Sequence, residues 1–429
     1  MNDLSHPPKI QAHPAVTWVL LGLMVLFALN SYPMMYKGYD FHFHLESIKH
    51  NYHANNFWHM QWAGVFKYFN TPDLEPLRGL IVHRTQTFLT LALLAASAFL
   101  FLGTALKSLD KHAKFQLATM AVAIWLMMHG TYSSPAGEPH YSARHVLSWL
   151  QWYSVNYQIA LPMFFFGSAT LLKAVTAAQL RHTVWWSALT LVTAYLIARI
   201  HAAELVYFLF VASGIFVIYV LPKQRWYVLL LTAALLLVAL KLGLMFTYRQ
   251  PVILELMHPS RWVELVAKMN EFGHLLVGNN INRSETTWHS LYTVGLLAAV
   301  GSIFGAKNKG AVQLALLLVF SSLLAIGIQI HHSAGLLALV IGEYVTWRFG
   351  FSTLLYLGIP LLVGLWLQQR PNTGSAWRNS SALFGASGGV LLLVLVYARL
   401  FEPLHPAWNF AKSLVLSLHP VLGHFQNTP

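Results

Sequence analysis

Residues 85–130 read TQTFLTLALLAASAFLFLGTALKSLDKHAKFQLATMAVAIWLMMHG, two apolar runs joined by the short basic stretch KSLDKHAK. Each run approaches the roughly 20 residues a helix needs to cross about 30 Å of hydrocarbon. A spanning backbone finds no hydrogen-bond partner in lipid, so the runs are expected to be helices. The pattern recurs. Working outward, apolar runs fall at 14–32, 85–106, 116–130, 157–176, 184–199, 203–221, 226–247, 289–305, 311–329, 351–368 and 382–400. The expectation is an all-α, polytopic integral membrane bundle of about 11 transmembrane helices, in the range of about 10–13. It forms a single membrane domain over 1–429, without internal repeat or low-complexity segment.

Composition points the same way. The chain is 56% hydrophobic and 10% charged, against about 25% charged in an ordinary soluble domain. A net charge of +13 would suggest nucleic acid in a soluble protein. Here it is read as Lys and Arg at cytoplasmic helix ends, and no nucleic-acid partner is expected. With no cysteine in the chain, disulfides and thiolate chemistry are excluded. The first run, AVTWVLLGLMVLFALNSY, lacks a basic leader and a small-x-small cleavage site and is read as a retained helix.

Charge then orders the connections. KSLDKHAK, LRH, PKQR, AKNKG and QQRPNTGSAWR are short and basic; placing all five in the cytoplasm requires no reassignment. The N-terminus is then cytoplasmic and the C-terminus outside. The outside set is 33–84, 131–156, 248–288, 330–350 and the tail 401–429. These long connections hold most of the acidic, histidine and aromatic residues outside the spans, and long loops are where function concentrates.

The first outside connection carries GYDFHFHLESI at 38–48. Asp40 is a candidate general base if it meets a substrate hydroxyl in a desolvated cleft; as a lone residue it is more often a solvated loop carboxylate or a helix cap. In an extended segment Asp40, His42 and His44 share one side. Their D-x-H-x-H spacing admits a divalent metal as the only cofactor, and hydrogen bonding to phosphate or sugar is the preferred reading. Beyond them Leu45, Ile48, Tyr52, Trp58, Trp62, Phe66 and Phe69 follow helical spacing. That predicts an amphipathic helix, lying either on the outer membrane surface or against the bundle.

Further outside candidates are Glu138 and Arg144 in SSPAGEPHYSARHV, and Glu285, Trp288 and His289 in NNINRSETTWHSLY. An acid and an arginine in a Pro/Gly-rich loop suit an acceptor and a phosphate. Trp288 suits a sugar face, or the interfacial aromatic belt. Arg348, just before the 351–368 run, suits a lipid phosphate or a headgroup anchor. Arg199 and Glu204 flank a turn and are expected to pair there. Lys241 lies inside an apolar run, where an ionisable group is a functional candidate.

Asp40, His44 and Leu45 resemble the D-x-x-x-H-L pattern of bacterial 6-pyruvoyl-tetrahydropterin synthase-related membrane proteins, which look like relatives of the GT-C glycosyltransferases. Trp347, Arg348 and Phe349 are similar to the P-W-R-F segment of the same proteins, with Thr346 where the proline would stand. The resemblance covers the architecture broadly and specific residues only at these two places. It implies a GT-C-like membrane enzyme that takes a sugar from a polyprenyl-phosphate-linked donor. The acceptor would be a hydroxyl of a lipid or glycan, with Asp40 as base, His44 beside it and Arg348 near the lipid phosphate. Competing classes are an O-antigen-type polymerase or ligase relying on the 248–288 connection, a multi-pass transporter, and a non-catalytic assembly subunit.

Overall fold

The ten residues EPLRGLIVHR before the second apolar run show how the fold departs from hydropathy alone. The computed structural model describes residues 10–30, 45–49, 57–71, 75–130, 155–223, 290–327, 354–369 and 375–386. In it the second run is the core of a 31-residue helix that starts at Glu75, ten residues early, taking 75–84 out of the connection assigned to 33–84. Pro76 is tolerated there because the first turn has no intrahelical N–H bond to lose. An apolar run marks where a helix is buried, and the helix itself continues through polar residues that favour helix.

In chain order the described helices are α1 (Pro14–Asn30), α2 (Phe57–Tyr68), α3 (Glu75–Ala105), α4 (Lys111–Gly130), α5 (Val155–Thr176), α6 (Leu180–Ile200), α7 (Ala202–Ile215), α8 (Ser290–Gly305), α9 (Lys309–Gly327), α10 (Gly358–Gln369) and α11 (376–386). A π turn at Phe216–Val220 extends α7. Among the described residues β pairing is confined to one bridge, Ile10 with Leu109. Among the described residues three helices are long and apolar enough to cross a membrane: Leu77–Ala105, Ile159–Thr176 and Leu180–Ile200. Shorter apolar stretches run at Pro14–Val25, Glu204–Val220, Val294–Gly305, Lys309–Leu324 and Leu354–Gln369. The expected run 226–247, and 387–400 of the last one, lie outside the described residues.

The span in α5 is 78% buried and that in α6 33%, so α5 is the central helix and α6 peripheral. Helix α5 packs on α3, α6 and α7. Gly167 lets α5 approach α6 and α7 closely: a Cβ there would stand 3.2 Å from Thr193 and 3.3 Å from Phe208. Thr190 donates to Thr170 at 3.0 Å across the α5–α6 contact. Outward, Trp18, Trp185 and Phe304 are 68, 64 and 86% exposed, a surface suited to hydrocarbon rather than water.

The described parts of the short basic connections gather at one end. Backbone bonds tie Ile10 to Ser108 and Asp110 to Ile10. Ser380 Oγ accepts from the His13 N–H at 2.8 Å, His13 stacks on Trp377 at 4.0 Å, and Gln369 donates to the Gly305 carbonyl at 3.0 Å. Asp110 secures this end, accepting from the Ala113 N–H at 2.7 Å as the cap of α4 and from the Ala12 N–H at 3.4 Å. Asp110→Ala is expected to lower stability by about 1–2 kcal/mol. Asp110→Asn, which keeps the acceptor, should lose much less in thermal unfolding of the detergent-solubilised chain. Equal losses would rule out the cap as the cause.

The run 351–368 behaves unlike the others. Leu354–Leu357 form a buried 3-10 turn, and the α-helix begins only at Gly358. The turn sits deep in the bundle. Tyr356 shares a 3.2 Å hydrogen bond with Ser97, and the Leu354 N–H donates to Ser321 Oγ at 3.3 Å. Ser97 stands eight residues before the end of α3 and Ser321 twelve after the start of α9, about 12 and 18 Å of helix rise from the basic end. Helix α10 is therefore a half-length helix running from mid-depth to the basic end. Irregular backbone at such depth is tolerated because protein surrounds it.

Candidate functional site

At the end opposite the basic turns, Asn70 takes a left-handed conformation (φ 46°), which asparagine tolerates, and ends α2. Residues 45–49 are helical, and Leu45, Ile48, Trp62 and Phe66 form one buried cluster with Val82 of α3. Four members of the expected apolar face thus pack on the bundle, as the second of the two readings had it. Phe69 is 70% exposed, because the chain has already turned. Arg78 supports the turn, donating to the Thr71 carbonyl at 2.8 Å and lying 5.1 Å from the Phe66 ring.

The same end holds the break between α6 and α7. His201 is extended (φ −158°, ψ 102°) and ends one helix as it starts the next. Glu204 lies in the first turn of α7, where a carboxylate is favoured by the helix dipole. It is fully buried and pairs with His201 Nδ1. The expected partner, Arg199, instead stands 5.8 Å from the Phe57 ring and donates to the Tyr195 hydroxyl at 3.4 Å. Arg199 belongs to the last turn of α6 and looks toward α2, whereas the extended residue at 201 carries the imidazole back over the first turn of α7. Chemically, a carboxylate holding Nδ1–H orients the imidazole and leaves Nε2 as the acceptor of the neutral ring. His59, His83, Gln86, Thr87 and Thr90 are buried polar residues of α2 and α3 near this end.

Of these polar residues the sequence singled out Arg199 and Glu204 but not His201, although His201 and Glu204 carry a usable signal, an i,i+3 pair at the junction of two apolar runs. Asp40, His42, His44, Glu138, Arg144, Glu285, Trp288, His289, Arg348 and Lys241 all lie outside the described residues. The described anchor points beside most of them are informative. The last residues of α1 and α4 and the first of α5 and α8 flank the segments holding Asp40, Glu138, Arg144 and Glu285 through His289. All four anchors stand at the end away from the basic turns. Among the described residues no group of three His, Asp or Glu is arranged to hold a metal ion.

The described residues define an all-helical bundle containing three membrane-length apolar helices. Comparison with protein-family models, curated proteins and solved structures returns no match.

Proposed function

We propose that the chain is a polytopic membrane glycosyltransferase of about eleven spans in the bacterial inner membrane, with its N-terminus cytoplasmic. It moves a sugar from a polyprenyl-phosphate-linked donor to a hydroxyl acceptor on the outer face. Asp40 takes the acceptor proton while the hydroxyl oxygen attacks the anomeric carbon. The bond from that carbon to the phosphate oxygen breaks, its electron pair leaving with the polyprenyl phosphate. Arg348 and Arg144 offset the charge that gathers there. A single displacement inverts the anomeric centre. His42, His44, Glu138, Glu285 and His289 hold the polar groups of donor and acceptor, and Trp288 stacks on a sugar face.

The observation that carries this reading is sidedness. The short basic connections cluster at one end of the bundle, and the anchors of the segments rich in acids, histidines and aromatics stand at the other. The two motif resemblances, around Asp40 and Arg348, supply the chemistry.

The test replaces Asp40 by Asn and by Ala, verifies normal membrane levels and assays surface glycans. Loss of a general base lowers turnover by about a hundredfold or more, so the glycan should disappear while the protein persists. Unchanged glycans would defeat the assignment. A requirement for Arg283, in the 248–288 connection on which that class would rely, or for His289, with Asp40 dispensable, would favour the polymerase or ligase class.

A further inference from the structure

The basic end contains a cavity of about 410 Å³ between the last turns of α3 and α5, the first turns of α6 and α9, and the π turn after α7. We propose that it is an anion site that takes a phosphate group, separate from the sugar-transfer chemistry assigned to the opposite end. Its volume falls in the range of about 300–1,000 Å³ usual for small-molecule sites.

The wall is strongly one-signed. Lys107, Lys173 and Lys309 line it with His182, and among the described residues no carboxylate does. Among the described residues none of the three lysines has a carboxylate partner. Asp110, the acid of the 106–114 connection, spends its Oδ1 on the Ala113 and Ala12 amides. Lys173 is half-buried at the floor, and Lys107 and Lys114 act on it as like charges. Gly103 of α3 lies beside its ammonium: a Cβ there would stand in ordinary contact with Nζ at 3.5 Å. Ammonium groups gathered around a partly desolvated space are unfavourable unless a counter-anion sits among them.

Two further features belong to the same wall. Tyr219 lines the cavity, is 1% exposed, and its hydroxyl has no hydrogen-bond partner among the described residues. A buried hydroxyl without a partner is costly, and a phosphate oxygen would accept from it. The N-terminus of the 19-residue α9, capped by Asn308, also opens here, and its dipole favours negative charge. Lysines near the ends of α3 and α5 would be expected simply to offset the helix carbonyls and set topology. That explanation accounts for the lysines but not for the unpartnered tyrosine or the concave, acid-free wall. Phosphate could arrive as a lipid headgroup or on a soluble compound; the chemistry is the same.

The test uses the full chain purified in neutral detergent, with Trp186, in the cavity wall, as fluorescent reporter. Inorganic phosphate is titrated at constant ionic strength against chloride. A saturable signal absent with chloride is expected, weakened about tenfold or more in Lys173→Gln and by a smaller factor in Tyr219→Phe. Should Lys173→Gln fail to fold, Lys309→Gln, at an exposed position, takes its place. A parallel series in phosphatidylcholine nanodiscs with or without phosphatidylglycerol separates the sources. Suppression of the phosphate signal by phosphatidylglycerol identifies a headgroup site, and persistence identifies a soluble ligand. No response to phosphate or to phosphatidylglycerol, or responses unaltered in all the variants, would overturn the proposal.

Discussion

Gly358→Ala is expected to destabilise the protein by about 3 kcal/mol or more, at the upper end of what overpacking costs. A Cβ at 358 would drive into the backbone carbonyl of Gly295, and one at Gly295 would stand 2.8 Å from the carbonyl of Leu355. A flexible side chain could turn aside, but these obstacles are main chain, held by α8 and by the buried turn at Leu354–Leu357. Close backbone approach through small residues is how helices associate where hydrophobic burial offers little drive. Gly301→Ala, in the same helix α8, meets nothing within 4 Å and should be neutral, or gain up to about 1 kcal/mol from helix propensity. Thermal unfolding and the monodisperse fraction after detergent extraction would read both variants. Equal behaviour of the two would refute the proposed backbone contact.

The second large effect concerns the pair at the α6–α7 junction, where the two partners should respond unequally. His201→Ala leaves the fully buried Glu204 carboxylate without its partner, a change that costs about 3–5 kcal/mol when a buried pair is broken. Glu204→Gln removes the charge and keeps an acceptor for the ring. His201 is itself 21% exposed, so water can still reach it, and the loss should be nearer 1–2 kcal/mol, about that of one hydrogen bond. The double variant His201→Ala/Glu204→Gln should recover part of the His201→Ala deficit, since no charge is then stranded. A larger loss for Glu204→Gln than for His201→Ala would show that the carboxylate is held by something other than the imidazole.

Much of the helical layout was legible before any coordinates. The runs at 14–32, 157–176, 184–199, 289–305 and 311–329 correspond to α1, α5, α6, α8 and α9 with ends displaced by a few residues. The displacements have one direction at the basic end: Lys111 and Leu180 begin their helices four or five residues before the apolar runs do, because Lys, Arg and Gln are good helix formers that hydropathy counts as loop. The run 351–368 is described from Leu354 on, where a buried 3-10 turn leads into α10, a change of helix type that its uniformly apolar composition does not announce. Around the candidate site, helical spacing found the face built from Leu45, Ile48, Trp62 and Phe66. It also suggested the wrong partner for Glu204, because an i,i+5 separation ignores the extended backbone at His201.

Hydropathy and charge are sums over neighbours in the chain, so the sequence by itself determined where apolar helices form and which short connections are basic. Which helix is central, how Gly295 meets Gly358, and how Lys107, Lys173, Lys309 and Tyr219 come to ring one cavity depend on faces that close across long separations in the chain. Those faces have no signature in any local window, and only the tertiary structure decided them.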